Sequence, residues 1–184
     1  MTPPRFATAR DLIAAFPYAR HEVRTAPTDQ PPVEFIEALM AAGALRDAIS
    51  YCAYLLPRRE AVWWACQCVR ASKKDLFRDE IEALEAAEAW VETPEEDFRQ
   101  RALKLGGDEP SDSGAIWACR AAAFSGGIVS NTSKGPVRAL PEATGRAARA
   151  AVLIAATAVE RDVRDKYFRT CIRECLELVR RAGE

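Results

Sequence analysis

Histidine is almost missing from this chain: His21 is the one copy in 184 residues. That scarcity removes whole classes of chemistry. A Ser-His-Asp or Cys-His hydrolase would have to use His21. A carboxylate-bridged metal pair of the Glu-x-x-His kind has no histidine to draw on, so Glu82, Glu85, Glu88 and Glu92 read as a solvated face. His21 itself falls in a stretch without period and reads as a surface residue. There is no Gly-x-Ser-x-Gly turn. Ser125 to Gly135 holds glycines, hydroxyls and Lys134, but not in Gly-Lys-Ser/Thr order, and no strand precedes it.

Excess charge is also lacking. Twenty-six Lys and Arg face 27 Asp and Glu, a net charge of −1, so nothing drives the chain toward nucleic acid. The longest apolar run, Ala147 to Val159, is interrupted by Arg149 and is too short to cross a bilayer. The first residues lack the apolar stretch of a secretory signal. The expectation is a cytoplasmic protein without membrane insertion. No segment alternates convincingly as a strand does.

What remains is helical. An apolar share of 49% in 184 residues suits one domain with a full core. Thr8 caps a short helix from Ala9 to Phe16, stopped by Pro17, and Tyr18 to Gln30 reads as loop, so residues 1–30 form an N-terminal helix and loop. Pro31-Pro32 start the next helix, whose stop is Gly43. Leu45, Ala48, Ile49, Cys52, Leu55 and Leu56 share one stripe, broken at Pro57. Arg58 opens a helix to about Ser72. Asp75 is placed to cap the following one, with Phe77, Ile81, Leu84, Ala87 and Val91 as its inner face. Thr93-Pro94-Glu95-Glu96 marks another start, ending at Gly106-Gly107. Ser111 or Asp112 caps a helix that ends at Ser125-Gly126-Gly127. Residues 128–141 have no period and read as a long loop. Glu142 restarts a helix to about Arg161, and Phe168, Cys171, Ile172, Cys175, Leu176 and Val179 stripe the last. About eight helices give an all-α fold, either a compact bundle or a short α-solenoid.

A motif occurs twice. Ala61-Val62-Trp63-Trp64-Ala65-Cys66 is repeated as Gly114-Ala115-Ile116-Trp117-Ala118-Cys119. The echo continues through Ala89-Trp90-Val91-Glu92 and Thr157-Ala158-Val159-Glu160, then Phe98-Arg99 and Phe168-Arg169. A duplicated helical unit follows: residues 58–106 and residues 111–182, the second with 128–141 inserted, within a single domain over 1–184. Trp64 and Trp117 are the equivalent core pair. Trp63 corresponds to Ile116 and lies about 100° from Trp64 on a helix, which places it at the core boundary or on a partner surface.

Six cysteines in such a chain read as reduced core thiols. Cys66 and Cys68 point about 200° apart on a helix and cannot clamp one ion. Cys171 and Cys175 share a face with apolar neighbours, without knuckle spacing. No cofactor and no metal is expected. The competing reading is a helical domain that binds a small molecule or a metal through these cysteines.

Arg58 and Arg59 stand where a helix dipole disfavours cations. They either pair with the Glu82–Glu92 face or, with Trp63, meet an anion or acidic partner. Lys134 is the cation of the long loop. These four residues are the candidate partner surface.

The stretch Leu55-Leu56-Pro57-Arg58-Arg59-Glu60-Ala61-Val62-Trp63-Trp64-Ala65-Cys66 resembles the signature of an uncharacterised family of small all-helical bacterial proteins. Gln30-Pro31-Pro32 is similar too, so the resemblance spans Thr8 to Arg70. Some relatives occur beside type VI secretion genes, which implies an accessory, adaptor or chaperone role and no active residues. The expectation is therefore a non-enzymatic protein-interaction module.

Overall fold

The computed structural model of the chain describes residues 5–73, 75–107 and 110–183. Ten α-helices and one hairpin make up the described residues. The helices are α1 (Ala9–Ala15), α2 (Ala19–Glu22), α3 (Pro32–Ala41), α4 (Leu45–Leu55), α5 (Arg58–Ser72), α6 (Arg78–Glu92), α7 (Glu96–Gly106), α8 (Gly114–Ala123), α9 (Ala143–Ala155) and α10 (Arg164–Gly183). Strands β1 (Ile128–Thr132) and β2 (Gly135–Arg138) pair antiparallel between α8 and α9, and a 3₁₀ turn (Ala156–Ala158) follows α9.

The starts and stops come from local chemistry. Thr8 accepts the Asp11 N–H, and Asp11 accepts the Thr8 N–H, a reciprocal cap for α1. Pro32 opens α3, Pro57 separates α4 from α5, and Gly43 ends α3 at a φ of +72°.

Sequence patterning misplaces several elements. The Tyr18–Gln30 loop contains α2, and His21 sits on it, exposed. Asp75 is not the cap of α6: the helix begins at Arg78 after Phe77, and Glu80 reaches back to the Phe77 N–H at 3.0 Å. The inner face of α6 is turned accordingly. Phe77 is 72% exposed and Ile81 is also exposed, while Glu80, Ala83, Leu84, Ala87 and Trp90 are buried. The buried Glu80 is held by Lys73 at 2.7 Å and Ser113 at 2.9 Å, and this polar anchor with the large Trp90 sets the helix rotation. Helix α7 starts at Glu96, beyond the Thr93-Pro94 signal, and α8 starts at Gly114 after Ser113, without a side-chain cap. The 128–141 segment holds the hairpin, whose strands are too short and too exposed to show alternation. Helix α9 ends at Ala155, short of Arg161.

Helix α8 is the hub. It packs on α5, α6, α7 and α9, and its small residues Ala115, Ala118, Cys119 and Ala121–Ala123 are buried. Small side chains let neighbouring axes approach closely. A Cβ on Gly114 would lie 2.7 Å from the Ala151 carbonyl oxygen of α9. Gly145 of α9 meets Ala53 and Tyr54 of α4 in the same way.

The bundle carries its repeat in the packing. Exchange α5, α6 and α7 for α8, α9 and α10, and most helix neighbours are kept; the packing of α6 on α7 is the one not repeated, since α9 and α10 are joined through the 3₁₀ turn instead. Helix α5 touches α9 as α8 touches α6, α10 lies on α5 as α7 lies on α8, and α5 and α8 meet each other. The fold is thus a compact helical bundle with internal repeat features. Helices α1 to α4 cover one side, with α4 against α9 and α10.

Candidate interaction surface

The arginines explain how this surface is framed. Arg58 and Arg59 do not pair with the Glu82–Glu92 face. Arg58 donates to the Ser125 carbonyl at 2.9 Å, just beyond the end of α8, and Arg59 donates to the Val91 carbonyl at the end of α6. Both guanidiniums sit at the negative ends of other helices, where the last carbonyls lack intrahelical partners. The unfavourable dipole of their own helix is offset there. Arg99 repeats the device in the core. It donates to the Ala123 carbonyl at 2.8 Å, to the Ile128 carbonyl at 3.0 Å and to both carboxylate oxygens of Glu96. Thr144 of α9 donates to the Phe124 carbonyl. The end of α8 and the root of the hairpin are therefore held by α5, α7 and α9 together.

Lys134 lies in the exposed turn of the hairpin. The hairpin presents Ile128 and Val137, with Leu140 just past it, as exposed apolar residues. Its root is fixed: the Ala139 N–H donates to the Gly127 carbonyl, and Gly127, at φ +64°, lies against the Arg99 guanidinium, where a Cβ would come within 2.8 Å. Arg58 is thus brought to the hairpin root, while Lys134 belongs to its far end.

Trp63 and Trp64 separate as helical geometry requires. Trp64 is wholly buried, and its indole N–H donates to the Cys171 carbonyl of α10 at 2.8 Å. Trp63 is 40% exposed. It borders a cleft of about 180 Å³ between α5 and α10, shared with Gln67, Glu174, Glu177, Leu178 and Arg181. Trp117, expected to match Trp64 in the core, is half-buried. Helix α10 closes over Trp64, whereas Trp117 opens on a groove along α9 beside Phe124 and Arg146. Its indole N–H donates to the Ser111 carbonyl and its ring lies under Arg120.

All six cysteines are buried and reduced, Cys68 included. Cys52 of α4 lies beside Cys175, and Cys68 of α5 beside Cys171, both on α10, close enough for each pair to influence the other's ionisation. Cys66 and Cys119, the two motif thiols, are close enough to interact electrostatically. Burial pushes every resolved thiol pKa up, Cys119 to about 12. Such thiols are poor nucleophiles and poor ligands. Among the described residues no group of three or more His, Cys, Asp or Glu side chains is disposed to hold a metal ion.

Four residues that complete the Trp63 cleft escape a reading of the sequence: Glu174, Glu177, Leu178 and Arg181. They follow Cys171 at helical spacing, but which helix they face is decided by packing alone. Arg99 escapes as well, since nothing local distinguishes it from a surface arginine.

Fold and surface together define an all-helical bundle with a doubled unit, a projecting hairpin and an exposed aromatic cleft beside Trp63. The chain belongs to DUF6931, a family of unknown function, whose model matches residues 35–179. That span runs from α3 to near the end of α10 and includes both units and the hairpin. It leaves out α1 and α2. No curated protein and no solved structure matches the chain. No described helix is long and apolar enough to cross a membrane.

Proposed function

We propose that this chain is a non-enzymatic protein-interaction module, an adaptor or chaperone-like accessory protein. The observation that carries the proposal is Trp63. A bundle that seals Trp64 completely leaves the adjacent indole 40% exposed at the edge of a cleft. Exposed tryptophan beside a concavity is the residue type that dominates binding energy at protein interfaces. The hairpin adds a second contact element: it has unpaired strand edges and exposed Ile128 and Val137. Arg58 and Arg59, exposed and each donating to a helix end, frame the surface and stay part of it. A type VI secretion setting rests on the Leu55–Cys66 resemblance and belongs to the same proposal.

The test is affinity capture of the tagged chain from its native cells. Trp63→Ala and a variant with 130–136 replaced by a short turn are compared with the unaltered chain. Trp63→Ala is expected to keep the helical circular dichroism and to lose a stoichiometric partner. Full retention of every partner by both variants overturns the proposed surface. Identification of the partner by mass spectrometry decides the secretion setting.

A further inference from the structure

The cleft beside Trp63 has an unbalanced charge. Its polar walls are Gln67 of α5 and Glu174, Glu177 and Arg181 of α10. Glu177 meets Arg181 at 3.8 Å, one turn along the same helix, and Arg181 is 76% exposed. A pair of that length and exposure contributes little. Glu174 is only partly exposed, and its polar contact is the Cys68 thiol at 4.0 Å. Among the described residues no cation comes within ion-pair distance of it. Two carboxylates therefore face one loosely held guanidinium, and the deeper carboxylate is uncompensated. Burial and the neighbouring Glu177 push the Glu174 carboxyl above its ordinary range, as expected where a positive charge is missing. The remaining wall is apolar and aromatic: Trp63 at the rim, Leu178, and the buried Trp64 behind them.

Resting on the interaction reading above, we infer that this cleft receives a basic side chain, a lysine or arginine presented by the partner polypeptide. The aliphatic stem lies along Trp63 and Leu178, and the cationic head meets Glu174 and Glu177, displacing Arg181. Each part of the site answers to one part of that side chain. The indole face attracts a cation and also covers methylene groups. The carboxylates supply charge-assisted acceptors, and the partial burial of Glu174 strengthens the pairing there, while Glu177 stands exposed at the mouth. An acidic or purely apolar group would leave Glu174 without its counter-charge, at greater cost than in the free protein.

The experiment follows the indole N–H resonances in two-dimensional NMR, with Trp63 assigned from Trp63→Phe. Three probes are titrated: an acetylated Gly-Gly-Lys-Gly-Gly amide, its arginine counterpart, and its norleucine counterpart. Butylammonium is a fourth, separate arm. The lysine and arginine peptides are expected to shift the Trp63 resonance along a saturating curve that weakens with added salt. Glu174→Gln is expected to weaken their binding by about tenfold, the loss of one contact to a charged group. Arg181→Ala is expected to tighten it by removing the internal competitor. Equal shifts from the norleucine peptide, or binding unchanged by Glu174→Gln, overturn the assignment. Butylammonium binding as tightly as the lysine peptide overturns the polypeptide source and points to a free amine. Failure here remains distinct from failure of the interaction module. A partner lost by Trp63→Ala but kept by Glu174→Gln removes only the basic side chain, whereas a partner kept by both Trp63→Ala and the hairpin variant removes the module's contact face.

Discussion

Single residues in this protein carry weight out of proportion to their number, and Arg99 carries the most. Its guanidinium is buried and satisfies the end of α8, the first residue of β1 and the Glu96 carboxylate at once. Arg99→Ala leaves two carbonyls short of donors and is expected to cost about 3–5 kcal/mol, read by urea unfolding. Lysine cannot replace the planar fork, so Arg99→Lys should recover only part of the loss. The pair also has a pH signature. The side-chain hydrogen bonds from Arg99 and Gln100 hold the Glu96 carboxyl down to about 2, from an ordinary value of 4.5. A carboxyl depressed on folding contributes stability above its unfolded pKa, and that contribution fades as pH falls from about 4.5 toward about 2. The stability difference between the unaltered chain and Glu96→Gln is therefore expected at pH 7 and should shrink by pH 3. A constant difference would remove the ion pair as its cause.

Among the elements, the helix ends are the recurring theme. Arg5 donates to the Leu56 carbonyl after α4, Arg59 to the end of α6, Arg120 to the Gly106 carbonyl at the end of α7, and Arg58 and Arg99 to the end of α8. Each donor comes from a different element than the carbonyl it meets. The caps are therefore tertiary contacts, and they lock neighbouring helices in register. This is why Arg58 and Arg59 look misplaced when α5 is considered alone. The central packing is equally specific. Gly114→Ala would drive a methyl group into the Ala151 carbonyl of α9. It should cost about 1–3 kcal/mol by overpacking, seen as a lowered thermal midpoint. An unchanged midpoint would mean that α8 and α9 can slide apart freely. The elements also show where sequence patterning fails. Phe77 and Ile81 fit the apolar stripe of α6, yet Glu80, one position from Ile81, is buried instead. Periodicity ranks side chains by hydropathy, and it cannot foresee that Lys73, Ser113 and a backbone N–H converge on one carboxylate.

At the scale of the whole molecule, the doubled unit gives the core its order. The motif cysteines belong to α5 and α8, which meet, while the other four thiols gather between α4, α5 and α10. No thiol is exposed. Alkylation by iodoacetamide in native buffer is expected to modify none of the six, and all six after unfolding in guanidinium, counted by intact mass. The rate in mild denaturant should follow global unfolding, since α4, α5 and α10 must separate before the thiols are reached. Rapid labelling of Cys171 or Cys175 alone would show instead that α10 opens by itself.

The amino-acid sequence by itself determined the helical class, most helix boundaries around proline and glycine, the repeated Trp-Ala-Cys motif and the split between Trp63 and Trp64. These follow from short-range rules: backbone dihedrals, capping and a 3.6-residue period. Tertiary structure alone decided where the arginines go, that residues 128–141 form a hairpin, that Trp117 is only half-buried, and that Glu174 and Glu177 stand beside Trp63. Each of these depends on which helix covers which. That choice is made by close approach at Gly114 and Gly145 and by carbonyls and charges meeting across distant segments, and no local pattern in the chain records it.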